Sequence, residues 1–261
     1  MRQRSEAEVL LQSLGVEEAE DIDLDAIACH LGVIAIRERR LDGCEARVIG
    51  RGRNAIISVN ASSIPQRRRF SVCHELGHWH LHRGESLYCK SADIGDRDVA
   101  HAKEKQANRF AADLMLPPYL VEQMAGGYRD VTIKAVDDIR ARFKASRSAT
   151  AIQLVKLHPK PVMITFSTQA GKRWQVPGPG VPRALVTRPD IGHESWAFDM
   201  LHGTAQDQPQ PRQIGAGIWF DRRGIERFRV SEQSFIAGDG IVATIIGFPD
   251  LKMLESYADG W

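Results

Sequence analysis

The chain has 261 residues, of which 43% are hydrophobic and 26% charged, with a formal net charge of +2. That is long enough for one large domain or two smaller ones with a sizeable core, and ordinary in composition for a globular protein. The near-neutral charge excludes a global pull toward nucleic acid or membrane, so any such binding has to come from a local patch.

The N-terminus, MRQRSEAEVLLQSLG, has no apolar segment ahead of a small-residue cleavage site, so no secretory signal is expected. Residues 5–31 read as two helices. Leu10, Leu11 and Leu14 make the stripe of the first; Asp23 caps the second, whose Leu24, Ile27 and Leu31 face inward, and Gly32 ends it. Three strand-like runs follow, at 33–39, 44–50 and 54–60, separated by Asp42-Gly43 and by the turn residues of 50–54. They predict a small antiparallel sheet. Ser62 or Ser63 followed by Pro65 marks a helix start, and the helix runs to about Leu81. A loop rich in Gly, Asp and Ser (84–98) precedes a helix over 99–116, stopped by Pro117-Pro118. Three short helices are expected over 118–158. Beyond Pro159 the composition shifts to strand-like alternation with Gly/Pro turns, with strands expected at 162–167, 217–221, 227–232 and 241–248 and helices at 193–201 and the C-terminus. The longest apolar run, GIVATIIGF, is too short to span a bilayer. Cys29, Cys44, Cys73 and Cys89 form no CxxC pair, and reduced thiols in a cytoplasm are expected.

The stretch His74-Glu75-Leu76-Gly77-His78 fits H-E-x-x-H. Residues i and i+4 of a helix share one face, so both imidazoles can reach one ion, and the glutamate beside the first can act as general base. His82 extends the same spacing but lies eight residues beyond His74, about 12 Å along a helix, too far for one ion to span. His80 points off that face. Both are expected at the rim or the last turn, where a cationic imidazole suits the helix dipole.

A third ligand has to come from farther along. Glu85, Asp93, Asp96, Asp98, His101, Glu104 and Asp113 offer the right atoms. Glu104 is selected by pattern: Ala107, Phe110, Ala111 and Leu114 form the apolar stripe of the next helix, and one step back along it lands on Glu104. A carboxylate on such a face is costly unless paired or bound to a metal. Asn108, one turn on, can orient a ligand or sit as a plain polar rim residue.

The segments QRRRFSVCHELGHWHLH and EKQANRFAADLMLP resemble the ImmA/IrrE family of bacterial metallo-endopeptidases, over roughly residues 20–158. The resemblance rests on HExxH followed by a helix bearing Glu104, Asn108, Phe110, Ala111, Leu114 and Pro117. It implies that His74, His78 and Glu104 bind the metal and that Glu75 is catalytic. Zinc is the default for two histidines and one carboxylate, and manganese fits the same donors. Tyr88 and His101 are the candidates for an oxyanion helper. Of the run Arg67–Arg69, one arginine, Arg69 for choice, is a candidate to grip substrate, against the alternative of a solvated face.

Residues 131–157 read as helix, tight turn, helix, like a helix-turn-helix, with Arg140, Arg142, Lys144, Arg147 and Lys156 making them locally basic. The turn lacks a glycine, and a structural or substrate-docking role is preferred to DNA binding. The expected architecture is α+β: a zincin-like metallopeptidase domain over 1–125, a helix-turn-helix-like segment over 126–159, and an α+β domain over 160–261 that some family members build as a GAF-like sensor. The resemblance implies a cytoplasmic metalloendopeptidase cleaving a helix-turn-helix transcriptional repressor, so switching on a stress-response or mobile-element programme. Two alternatives differ in class: a DNA-binding regulator with a structural metal site, and a peptidase gated by the 160–261 domain.

Overall fold

The computed structural model describes residues 2–83 and 97–257, with side chains throughout except at 97–100. The chain divides into two compact units, Met1–Leu120 with Arg142–Ala145, and Val121–Ala141 with Ser146–Trp261.

In the first unit, helix α1 (Glu6–Ser13) starts with a reciprocal cap: Ser5 Oγ accepts from the Glu8 amide and the Glu8 carboxylate accepts from the Ser5 amide. Glu8 is fully buried, and its remaining acceptor capacity goes to Arg2 at 2.6 and 2.7 Å and to the Tyr119 amide at 3.2 Å. Helix α2 (Leu24–His30) is capped by Asp23, which accepts from Asp25 and Ala26.

Strands β1 (Val33–Arg39), β2 (Ala46–Arg51) and β3 (Asn54–Asn60) form a sheet in the order β1-β3-β2. The expectation of an antiparallel sheet is corrected here, because β1 pairs with β3 in parallel and only β2 with β3 runs antiparallel. Glycine-bearing turns between successive runs suggest a meander. Only the second turn, at Gly52, closes a hairpin. The stretch 40–45 instead crosses β3 to reach the far edge, two strand spacings or about 9.5 Å away, which a two-residue turn cannot do. The central strand buries Ala55, Ile57 and Val59 on the face that meets helix α3 (Pro65–Leu81).

Helix α4 (Arg97–Met115) packs along α3. Gly77 makes that close: a Cβ at this position would stand 3.1 Å from both the Cα and the carbonyl oxygen of Ala107. Helix α5 (Pro118–Ala125) follows.

The second unit contains most of α6 (Ile133–Phe143), then α7 (Arg147–Leu157), capped by Ser146. Its antiparallel sheet has the order β5-β4-β8-β7-β6, built from β4 (Val162–Thr168), β5 (Gly171–Pro177), β6 (Arg212–Gly215), β7 (Arg229–Gly238) and β8 (Ile241–Gly247). Helix α8 (Trp196–His202) lies against β7 and β8, and α9 (Leu251–Glu255) adds Met253 and Leu254 to the core. The carboxylate of Glu232, fully buried on β7, holds the Arg212 side chain and the Trp219 indole at 2.7 Å and the Trp196 amide at 3.1 Å.

The strand expected at 217–221 is corrected: Ala216–Ile218 is a 3-10 turn, and Phe220 makes only an isolated bridge with Thr187. Trp219 and Phe220 are consecutive and both buried, whereas a strand sends neighbours to opposite faces. Among the described residues no helix is long and apolar enough to cross a membrane.

Candidate metal centre

Helix α3 begins with Pro65 in its first turn, where the missing N–H costs nothing. Its N-cap is Ile64, not a serine; Ser63 instead bonds the Glu45 carboxylate. Val72, Cys73, Leu76 and Trp79 sink one side of the helix into the core, and the Trp79 indole donates to the Leu31 carbonyl at 2.8 Å. That anchoring fixes the helix rotation, so His74 and His78 emerge one above the other toward α4.

There the Nε2 atoms of His74 and His78 stand 3.0 Å apart. Glu104 brings Oε2 to 3.4 Å from His74 Nε2 and Oε1 to 3.2 Å from His78 Nε2. One ligand atom from each of the three residues lies within 4.8 Å of the others. The Glu104 side chain is 46% exposed, so the group opens to solvent on one side.

The outer nitrogens decide what the inner ones carry. His74 Nδ1 faces Asn108 Oδ1 at 3.1 Å, an acceptor, so the proton sits on Nδ1 and Nε2 keeps its lone pair. His82 Nε2 faces Gln106 Oε1 at 2.9 Å and donates to it. With its Nε2 donating, His82 offers Nδ1 as an acceptor, and that atom lies 3.3 Å from His78 Nδ1. His78 donates there, and its Nε2 is again a bare lone pair. Burial, with the neighbouring His74, holds the His78 pKa below its ordinary value and keeps that imidazole neutral. In these tautomers three acceptors converge, a set that could hold a cation. Two imidazoles and a carboxylate are a donor set suited to a divalent ion, which these three residues could hold.

Glu75 is 4% exposed on the same helix. Burial pushes its carboxyl up to about 7; the Val48 amide of edge strand β2 opposes the rise and the charge of Glu104 adds to it. A carboxyl so placed can hold or release a proton near neutrality.

The other expected residues lie elsewhere. Arg69 reaches the Ile22 carbonyl at 3.5 Å, on the side of α3 turned from the histidine pair, and its Nε is buried with no hydrogen-bond partner. Arg67 and Arg68 pair with Glu45 at 3.2 Å and Glu38 at 2.8 Å. His101 is exposed on α4 and bonds none of the described site residues. Asp113 lies farther down α4, buried, 3.8 Å from Arg109. Tyr88, Glu85, Asp93 and Asp96 fall outside the described residues, as does the side chain of Asp98. His82 caps the end of α3, as the last-turn expectation has it, but it is buried rather than at the rim, being 5% exposed and hydrogen-bonded at both nitrogens. The signal for His82 was present: a histidine offered to a metal through one nitrogen wants a partner on the other, and His82 stands one turn from His78.

Two histidines a turn apart, a buried glutamate between them and a carboxylate from the next helix define an HExxH peptidase type of centre. Residues 19–155, just over half the chain, match the peptidase family described as the IrrE N-terminal-like domain. The chain belongs to that family. Among curated proteins it is similar to the radiation response metalloprotease IrrE of Deinococcus radiodurans, 22% identical over 202 residues. The match covers 74% of this chain and spans 60% of that relative's length. Among solved structures it is similar in fold to a Mycobacterium tuberculosis transcriptional regulator, with a TM-score of 0.58 and 14% identity over 98% of this chain and 78% of that one.

Proposed function

We propose that the chain is a metal-dependent endopeptidase acting on a protein substrate, with His74, His78 and Glu104 as ligands and Glu75 as general base. The observation that carries this reading is the convergence of His74, His78 and Glu104 beside a buried carboxyl. Zinc is the proposed ion, with manganese as the alternative for the same donors. When bound, the ion supplies Lewis acidity toward the scissile carbonyl and lowers the pKa of the attacking water. Asn108 and the His82–Gln106 pair hold the two imidazoles in the tautomer and orientation that keep Nε2 free. Glu75, ionised, takes the water's proton at a carboxylate oxygen; protonated, it returns that proton to the leaving amine.

The finer reading is cleavage of one helix-turn-helix transcriptional repressor in the cytoplasm, inducing a stress-response or mobile-element programme. Its support is the family resemblance and the radiation response of the curated relative. The free thiols of Cys29, Cys44 and Cys73 agree with a reducing compartment. The basic helix-turn-helix-like segment is read as structural. Arg140 and Arg147 bond Asp137, Arg147 also bonds Asp207, and Arg142 bonds Glu20, which takes these arginines from any phosphate.

The test incubates wild type and Glu75→Gln with the repressor encoded beside this chain, with zinc, with manganese and with neither, and reads fragments by mass spectrometry. Specific fragments are expected from wild type with metal and none from Glu75→Gln, a loss of at least about 100-fold. An intact repressor with metal-loaded wild type defeats the repressor reading. Equal cleavage by Glu75→Gln defeats the mechanism.

A further inference from the structure

On the side of α3 away from the histidine pair, a cleft of about 540 Å³ opens where α2, β1, the β2–β3 turn and the last turn of α3 meet. Its polar side chains are basic or neutral. Arg53 and Arg83 bring permanent charge, His30 and His80 bring imidazoles, and Asn54 an amide. Among the described residues, no acidic residue lines it. Glu6, the acid whose charge bears on His80, is not among the lining residues.

The cleft is held in shape before any ligand arrives. Arg83 donates to the Leu31 carbonyl at 2.7 Å, and its guanidinium lies 4.4 Å from the centre of the Trp79 ring. The same carbonyl takes the Trp79 indole at 2.8 Å, so Arg83 and Trp79 share one anchor. Opposite, the backbone at Arg53 is pressed against Gly32, where a Cβ would come 2.2 Å from the Arg53 carbonyl oxygen; Gly32 has φ +87. Beneath, Gly50 admits the Trp79 ring, which a Cβ there would meet at 2.1 Å. Gathering like charges on tightly packed backbone is unfavourable for the empty site and favourable once an anion sits among them. Among the described residues neither Arg53 nor Arg83 has a carboxylate partner.

We propose that this cleft binds the phosphate group of a small phosphorylated molecule, with Arg53 and Arg83 as charged contacts and Asn54, His30 and His80 as further donors. Guanidinium forks match the oxygens of a phosphate, and a tetrahedral dianion can use donors from several sides at once. The cleft is open to solvent and roomy enough for a phosphate together with a group attached to it. A concave, local site on a chain of net charge +2 suits a discrete molecule better than the continuous backbone of a nucleic acid. This inference is independent of the peptidase reading.

Calorimetric titration of the metal-loaded full chain tests it, using inorganic phosphate, adenosine 5′-monophosphate and a short DNA duplex at matched ionic strength. Saturable binding of the monophosphate is expected, tighter than that of inorganic phosphate. Arg53→Ala should weaken it by about tenfold or more, Arg83→Lys should retain part of it, and Arg40→Ala, outside the cleft, should leave it unchanged. Absence of saturable binding by wild type overturns the proposal. So does equal weakening by Arg40→Ala, which marks nonspecific attraction. Binding that survives Arg53→Ala but disappears with His78→Ala belongs to the metal centre and overturns it too. Arg53-dependent binding of the duplex in preference to the monophosphate transfers the site to nucleic acid.

Discussion

His82 shows how far side-chain chemistry extends beyond the residues that can touch an ion. Its spacing invites a metal role that distance refuses, yet it stands against the outer nitrogen of His78 and is itself held by Gln106. His82→Ala should therefore lower metal affinity by roughly 10- to 100-fold while the fold persists. Competition with a chromophoric chelator, beside a circular dichroism spectrum, measures this. An unchanged affinity would show that His78 is oriented without help. The meeting of His74, His78 and Glu104 was legible in the sequence, because i, i+4 spacing and an apolar stripe are properties of single helices. Gln106 was not legible, because its partner depends on how α3 and α4 register against each other, and no periodicity within one helix encodes that.

The turn between α6 and α7 carries strain that its sequence announces. The residue after α6 is Lys144, at φ 53 in the left-handed region where glycine ordinarily ends a helix. Left-handed backbone costs an L-residue about 1–2 kcal/mol, while glycine loses roughly 0.5–1 kcal/mol more backbone entropy on folding. The first exceeds the second, so Lys144→Gly should stabilise the chain by up to about 1 kcal/mol. Urea unfolding monitors it, and a lowered midpoint would contradict the strain argument. The missing glycine was visible in RFKASRSA; the ion pairs that occupy its arginines were not, since Glu20 and Asp207 are remote in sequence. The three-stranded sheet teaches the same lesson. Strand positions follow local alternation, but which strand sits between the other two depends on how far a loop reaches, and β1 beside β3 escaped a reading made turn by turn.

At the scale of the whole molecule, each unit holds a carboxylate whose ionisation favours folding. Burial works against the Glu8 anion, but Arg2 and the Ser5 and Tyr119 amides outweigh it and keep its pKa below the ordinary range. Arg147, with Arg140, does the same for Asp137. A depressed folded pKa means the stabilisation is present above the unfolded values, near 4, and is lost as pH falls through the lower folded values. Melting temperatures should therefore drop below about pH 4, and Glu8→Gln and Asp137→Asn should melt lower at neutral pH but lose less on acidification. Parallel wild-type and variant curves would remove both groups from the account. The family match reaches residue 155, and the β-rich remainder was the least legible part: β5 and β6 lack the long apolar runs of β4 and β8, and paired aromatics at 219–220 imitate a strand. Gly77 links this larger scale back to the metal centre. With α3 carrying two donors and α4 the third, the Gly77–Ala107 approach works as the gauge of a caliper that sets its jaws by the thickness of a single hydrogen. Gly77→Ala must open the jaws by a few tenths of an ångström, without touching a ligand. If the proposed ion sits there, this change should cost zinc more affinity than the larger manganese, and a residue with no side chain at all would then share in the choice of metal.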